Sequence, residues 1–304
     1  MTVDREALEH GTTTATPLNL SEYEAAARAV LPEMMYWYLD GAACDRITFN
    51  ENRLAFGRWR LLPRVLRGLG EVDLSTKVLG QEISLPVMLA PVGMHRTVHD
   101  EGELATARAA NAAGTIFTLS TVATYPIEEV APLCDRWWYQ LYIYKDREVT
   151  RDLVRRAEAA GAGALVVTVD TPVLGRREMD ERGHFVLPEH VTIANIERSV
   201  RGLERMPRNA AGSALSAYTS NFDASLSWAD LDWLASITRL PVVPKGILAA
   251  ADARLAVEHG AKAIIVSNHG GRQLDGSVAT LDALPAIARE VNDEIEVYLD
   301  GGIR

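Results

Sequence analysis

A chain of 304 residues that is 48% hydrophobic and 24% charged holds enough apolar material for one large α/β domain or two small ones. Its formal net charge of -10, with no Lys/Arg run and no basic stripe interleaved with aromatics, excludes nucleic acid as a natural partner, although a small anion can still enter a locally basic pocket. Two cysteines, Cys44 and Cys134, without C-x-x-C spacing argue against a disulfide framework or a zinc site, and no stretch approaches the roughly 18 apolar residues that span a bilayer, so the expectation is a cytoplasmic enzyme without a membrane partner.

Residues 1–20 read as a flexible, polar, Thr-rich tail. The stretch SEYEAAARAVLPEMMYWYLDG then reads as helical, with Ser21 as N-cap, Glu24 three residues on, and Pro32 as the point where the helix breaks or kinks. Further on a unit repeats: RAANAAGTIFTLS, RRAEAAGAGALVVTVD and RLAVEHGAKAIIVSNH each run from an Ala-rich helix through a glycine to an apolar strand. This is the pattern of parallel strands joined by helices, with Gly114, Gly161 and Gly260 at the left-handed C-cap positions. In the middle unit Asp146 is placed to cap a helix whose Val149, Leu153, Val154 and Ala157 share one face.

Strands are predicted near 85–92, 116–121, 137–143, 164–170, 241–247, 263–269 and 296–301, seven in all. Their nearly continuous apolar content is that of parallel strands buried on both faces. Their C-terminal ends read PVG, LST, QLY, TVDTP, PKG, SNHGGR and DGG. In a TIM (β/α)₈ barrel those ends carry the chemistry. More than 50 residues separate Asp170 from the helix near Trp228, which predicts a flap or lid over about 172–227. The arginines at 198, 201, 205 and 208 suit a solvated face of that flap.

Two familiar site types are not supported. No G-x-G-x-x-G follows a strand, and GAGA at 161–164 lacks the third glycine, which argues against a nicotinamide site. His95 and His99 have the i, i+4 spacing of a metal pair but neither the glutamate of H-E-x-x-H nor a third ligand, so no metal is expected.

The motifs YLDGAACD, LAPVGM, TLST, QLYIYKDR, TVDTPVLGRRE, KGI, SNHGGRQLDG and DGGIR occur in the order and spacing of one family. From about Ser21 to Arg304 the chain resembles the FMN-dependent 2-hydroxy-acid dehydrogenases and oxidases, which include glycolate oxidase, lactate oxidase and mandelate dehydrogenase. The resemblance implies an FMN-binding (β/α)₈ barrel over 21–304 with the last β/α unit missing, and a homotetramer. It implies oxidation of an (S)-2-hydroxy acid to the 2-oxo acid, with O₂ as the favoured acceptor.

The same resemblance assigns roles, and the chemistry of each residue type agrees with them. His269 is the base, and Asp170 stabilises the imidazolium that forms. Arg177 and Arg272 clamp the carboxylate through their guanidinium forks, while Arg176 is left as loop support. Tyr38 adds a hydrogen bond, Tyr142 contacts the substrate hydroxyl, and Tyr36 and Trp37 read as packing aromatics. Lys245 lies by the flavin edge where negative charge accumulates. Ala90, Pro91, Val92 and Gly93 form the wall for the ring, with polar contacts from Ser120, Gln140, Thr168 and Ser267. Asp300, Gly301, Gly302 and Arg304 form the far end, where backbone N–H groups meet the phosphate.

Two departures keep alternatives open. Gly93 stands where many of the family's oxidases carry alanine, while mandelate dehydrogenase and lactate monooxygenase carry glycine there, so quinone-linked and monooxygenase-type enzymes remain alternatives. Val122 stands where glycolate and lactate oxidases often carry a bulky aromatic, which predicts room for a larger side chain. Outside the family, a strand-end Lys245 also suits a Schiff-base aldolase, and the missing end suits a fragment or a non-catalytic barrel piece.

Overall fold

The computed structural model describes residues 16–68, 70–183, 185–197 and 219–304. Residues 1–15 of the expected tail and the arginines at 198, 201, 205 and 208 lie outside the described residues. Helix α1 (Leu20–Val30) starts one residue earlier than the sequence predicts. Its N-cap is Asn19 and not Ser21: the Asn19 side chain accepts from Glu22 N at 3.0 Å, while the Glu22 carboxylate accepts from Leu18 N and Asn19 Nδ2 at 2.8 and 2.7 Å. Pro32 breaks the helix as expected and becomes the N-cap of α2 (Glu33–Asp40), which is followed by α3 (Ile47–Phe56).

A two-stranded antiparallel hairpin, β1 (Thr76–Val78) and β2 (Gln81–Ile83), precedes a six-stranded parallel sheet in sequence order. Its strands are β3 (Phe117–Ser120), β4 (Trp137–Leu141), β5 (Leu165–Thr168), β6 (Val242–Ile247), β7 (Ala263–Val266) and β8 (Glu296–Leu299). Counting only the longer helices, α4 (Gly102–Ala112) leads into β3, α5 (Arg147–Ala159) into β5, α6 (Trp228–Ile237) into β6, α7 (Ala250–Glu258) into β7 and α8 (Thr280–Val291) into β8. Asp146 caps α5 by accepting from Glu148 N at 2.9 Å, and Gly114, Gly161 and Gly260 have positive φ just past their helices, both as the sequence predicts.

The predicted strand at 85–92 is not one. It makes a single parallel bridge, Leu89 to Phe117, held by Leu89 N to Ile116 O at 2.9 Å and Thr118 N to Leu89 O at 3.0 Å. Pro86 and Pro91 bracket that bridge and have no N–H to extend the ladder. The hairpin went unpredicted because each arm has only three residues and an exposed, polar face. It plugs the N-terminal end of the curled sheet: Trp138 Nε1 donates to Gln81 Oε1 at 2.8 Å, and Leu79 N donates to the Glu296 carboxylate at 3.0 and 3.1 Å.

Strand pairing sorts the side chains. Ser120 pairs with Gln140, Gln140 with Val166, Thr168 with Lys245, Lys245 with Ile265, and Ile265 with Tyr298, so all of these lie on one face. Towards the hairpin that face is apolar, packing Trp138, Val166, Val243 and Ile265 on Val78 and Ile83. Towards the C-terminal strand ends it turns polar. The opposite face packs Phe117, Leu119, Tyr139, Leu141, Leu165 and Val167 on one side and Ile264 and Val266 on the other beneath the helices. The curled six-stranded parallel sheet with its outer helices is the architecture of part of a (β/α)₈ barrel.

Glu103 of α4 ties two strand-end loops together. Its fully buried carboxylate accepts from His95 N at 3.1 Å, Thr124 N at 2.9 Å and Thr124 Oγ1, spanning the loops that carry Gly93 and Val122. Glu103→Leu would leave two backbone donors without partners. It is expected to lower the unfolding free energy by about 3 kcal/mol, checked by urea denaturation, with Glu103→Gln losing less than half of that.

Candidate active site

At the polar end of the sheet a cavity of ≈ 1460 Å³ opens, lined by the mouth of the barrel and by its inner face. All of the site residues predicted from sequence line it except Asp170 and Ser267, which stand directly behind two that do. Asp170 is one such support: its Oδ1 lies 2.8 Å from His269 Nδ1, with Thr171 Oγ1 3.1 Å from the same oxygen. With Nδ1–H given to Asp170, His269 turns Nε2 to the cavity, the nitrogen free to take a proton.

Burial holds the His269 imidazole below its usual pKa, while the Asp170 charge and hydrogen bond pull the other way. Burial alone would raise the Asp170 carboxyl, but the His269 interaction and Lys245 outweigh it and keep the carboxyl below its ordinary range. The resting pair is therefore a neutral imidazole on an ionised carboxylate, the state a general base requires.

His269 sits at the start of a tight bend. It has φ 57°, followed by Gly270 at 67° and Gly271 at 72°, and Asn268 caps the turn by accepting from Gly271 N at 3.1 Å. Gly271 cannot carry a side chain, since a Cβ there would come within 2.5 Å of Phe49 N. The bend delivers Arg272 to α2, where Nη1 donates to Leu39 O at 3.1 Å and Gly41 O at 2.7 Å, and Nη2 donates to Tyr38 O at 2.9 Å. Three of its five donors are thus used by backbone, leaving Nε–H and one Nη2–H for a ligand.

Arg177 is buried beside it, with Nε 3.4 Å from Arg272 O and Nη1 3.7 Å from Asp180 Oδ2. Burial and the Arg272 charge pull the Arg177 guanidinium down to about 10, so it stays cationic at neutral pH. Tyr38 stacks on Phe185 at 4.6 Å and lies under the Arg272 guanidinium at 5.3 Å. Tyr142 stacks on Phe222 at 4.3 Å, and burial pushes its phenol well above the usual range, so it stays protonated as a donor. Arg176 points away and pairs with Glu181 on the surface, as expected of a supporting residue.

Lys245 lies inside β6 rather than at its end, because the strand continues to Ile247 across a register shift at Gly246. Its Nζ contacts Asp300 Oδ2 at 3.0 Å and donates to Ser267 Oγ at 2.9 Å. Burial opposes its charge, but Asp300 and Asp170 outweigh burial and raise its pKa. A Schiff-base nucleophile must be neutral, so this ion pair argues against the aldolase chemistry that the residue type alone allows. Along the same face Ser120 Oγ donates to Gln140 Oε1 at 3.0 Å and Gln140 Nε2 to Thr168 Oγ1 at 2.9 Å.

The FMN-dependent dehydrogenase model matches residues 27–304. The chain belongs to the FMN-dependent dehydrogenase family. It is 50% identical over 299 residues to the L-lactate oxidase of Nostoc sp., covering 96% of this chain and 81% of that protein. It is 51% identical to the glycolate oxidase of Spinacia oleracea over 94% of this chain and 77% of that one. The 2-hydroxyacid oxidase 1 of Homo sapiens is 49% identical over 94% of this chain and 78% of its own length. Among solved structures, mandelate oxidase with (S)-4-hydroxymandelic acid superposes with a TM-score of 0.89 at 43% identity, covering 95% of this chain and 80% of that one.

FMN is the family's cofactor, and the cavity fits it. Asp300 Oδ1 is buried without a partner, the buried Lys245 ammonium stands next to it, and Gly301 and Gly302 turn with φ 92° and 75° at the cavity's end. Lys245, Gln140, Thr168 and Ser120 are the polar groups that would hold the flavin edge, with Ala90 to Gly93 as its wall and the glycine turn for the phosphate. Arg304 is exposed, and its Nη1 donates to Ile303 O at 3.1 Å.

Several supporting residues escaped the sequence reading: Phe185 behind Tyr38, Phe222 behind Tyr142, Asp180 behind Arg177, and Asn52 behind Asn268. Only Asp180, three residues after Arg177 on the next helical turn, had a local signal. A His269 that accepts a proton has to be neutral, and burial holds its pKa below the usual 6.5, so with His269 as the base flavin reduction should persist as pH falls through the ordinary histidine range. Asp170→Asn removes the charge that raises His269, so the acid limb should move to still lower pH while the maximal rate falls by about 100-fold. Anaerobic flavin reduction measured from pH 4.5 to 8 by stopped flow checks both, using roughly half-unit steps.

Proposed function

We propose that this protein oxidises a 2-hydroxy acid to the corresponding 2-oxo acid with FMN as electron acceptor and O₂ as terminal oxidant. The observation that carries the reading is that the Asp170-supported His269 lines the same cavity as the Arg177 and Arg272 guanidiniums, a base and an anion clamp in one pocket. The arginines bind the substrate carboxylate and fix the carbinol carbon between His269 and the flavin wall. Tyr142, protonated, hydrogen-bonds the substrate hydroxyl, and Tyr38 donates to the carboxylate side. His269 Nε2 takes the substrate proton, and Asp170 balances the imidazolium that results. FMN, when bound, would supply the two-electron acceptor that no side chain provides, with O₂ as its terminal oxidant.

The oxidase reading is supported by the relatives, which are named as lactate, glycolate and 2-hydroxyacid oxidases, and by mandelate oxidase among the structures. Val122 lines the cavity directly against Gly93, and its small side chain supports a substrate with a larger substituent than glycolate. Cytoplasmic location is part of the same reading, supported by the two free cysteines, Cys44 and Cys134. The homotetramer rests on the resemblance to the family. No described helix is long and apolar enough to cross a membrane.

His269→Asn should retain FMN yet slow anaerobic reduction of the flavin by lactate or mandelate by about 1000-fold or more, since the base is lost while the flavin contacts stay. Bleaching at the wild-type rate would remove His269 from its role. Arg177→Lys should raise the KM for a 2-hydroxy acid about 10-fold or more, because an ammonium does not reproduce the fork, while its methyl ester is affected less. Val122→Trp should harm turnover of mandelate more than that of glycolate, and a size series of substrates reads the difference directly.

A further inference from the structure

The base and the glycine turn for the phosphate lie on different strands, after β7 and after β8, and both rest on one residue of a third element. Asn52 of α3 is buried, and its carboxamide meets that of Asn268 in a reciprocal pair, Asn52 Nδ2 to Asn268 Oδ1 and Asn268 Nδ2 to Asn52 Oδ1, each 2.8 Å. Asn268 uses the same Oδ1 to accept from Gly271 N at 3.1 Å and the same Nδ2 to donate to Val278 O at 3.2 Å, so its amide is fully engaged. That engagement fixes the bend in which His269, a residue with a Cβ, is held at φ 57°. Left-handed backbone is unfavourable for such a residue unless its surroundings over-determine it.

On its other side Asn52 supports the glycine turn. Thr280 N donates to Asn52 Oδ1 at 3.3 Å, and Thr280 Oγ1 donates to Asp300 O at 2.6 Å. The turn itself lies against Asn52: a Cβ on Gly302 would come within 2.3 Å of Asn52 O, and one on Gly301 within 3.2 Å of Asn52 Nδ2. A buried side chain on a helix outside the sheet thus touches both loops at once.

We infer that Asn52 is a shared positioning residue, setting through Asn268 the orientation of the His269 base and, through Thr280 and direct packing, the turn that receives the FMN phosphate. Asn52 reaches the cavity wall beside the glycine turn, apart from the residues assigned to the substrate, and acts through its neighbours. The inference rests on the proposed 2-hydroxy-acid oxidation for its catalytic half, while its cofactor half stands on FMN binding alone.

The test compares wild type with Asn52→Leu, which keeps the size and removes both polar atoms, and with Asn52→Ser, which leaves space for a water to bridge to Asn268. Three quantities are read on the holoprotein: thermal unfolding, release of FMN on dilution by its fluorescence, and anaerobic flavin reduction by glycolate, lactate and mandelate. Asn52→Leu is expected to weaken FMN binding about 10-fold and to lower the limiting reduction rate about 10-fold or more, with the half-saturating substrate concentration changed less than about 2-fold; Asn52→Ser recovers part of both. A merely structural role would lower the unfolding temperature and leave the FMN-loaded fraction reducing at the wild-type rate, and that result overturns the inference. Loss of only one of the two functions overturns the shared role.

Should Asn52→Leu not fold, Asn52→Ser decides alone: wild-type FMN release and wild-type reduction sink the proposal, and joint loss of about 3-fold or more sustains it. If wild type binds FMN but none of the acids bleaches it, the functional reading fails, and the FMN-release comparison still decides the cofactor half of the Asn52 proposal.

Discussion

Parallel pairing of consecutive strands is the constraint on which the site depends. In a parallel ladder, paired residues point to the same face and the side-chain period is two. One register therefore fixes which half of every strand faces inward. Here it places Ser120, Gln140, Thr168 and Lys245 on the inner face together with Trp138, Val166 and Val243, which are packed on the hairpin. A slip of one residue in any strand would turn its polar group into the helical layer and an apolar one into the cavity. The apolar lower half of the inner face holds the register, and the polar upper half uses it.

Charge at the site follows from the same arrangement. Two arginines, a lysine and a histidine converge on one cavity, and each is balanced separately: Arg177 by Asp180, Lys245 by Asp300, His269 by Asp170, and Arg272 by three backbone carbonyls. Asp170 and Asp180 stand behind their partners and off the cavity wall, so the end of the cavity at His269, Arg177 and Arg272 presents positive charge, while Asp300 lines the cavity beside Lys245. A chain with a net charge of -10 thereby keeps a local pocket suited to small anions. Roles are kept apart because burial outweighs Asp170 and leaves His269 neutral at rest, whereas Asp300 and Asp170 outweigh burial and leave Lys245 charged.

Backbone contacts hold the His269 bend together with the Asn52–Asn268 side-chain pair. His269, Gly270 and Gly271 take three successive left-handed conformations, and Gly271 presses against Phe49 of α3. Ala43 N donates to Gly271 O at 2.9 Å, so the segment before α3 also grips the bend. The N-terminal helices are therefore a part of the active site: they hold the histidine bend from below, and α2 receives Arg272 at its C-terminal carbonyls.

The sequence by itself determined the repeating helix-Gly-strand units, the six hydrogen-bonded strands, and the polar and charged groups at the strand ends, nearly all of which line the cavity. Those signals are local: an apolar run, a glycine C-cap, and motifs whose residues sit within a few positions of a strand end. It placed a seventh strand at 85–92 because apolar content marks burial and not pairing, and the prolines at 86 and 91 removed the donors a ladder needs. Only the tertiary structure decided the groups that act from a distance. Asn52 meets Asn268 across 216 residues of chain, and Leu79 donates to Glu296 across 217. Phe185 and Phe222 stack on Tyr38 and Tyr142 from the described residues between β5 and α6. No periodicity or spacing encodes such pairs, because their geometry exists only once the sheet has curled and brought remote segments together.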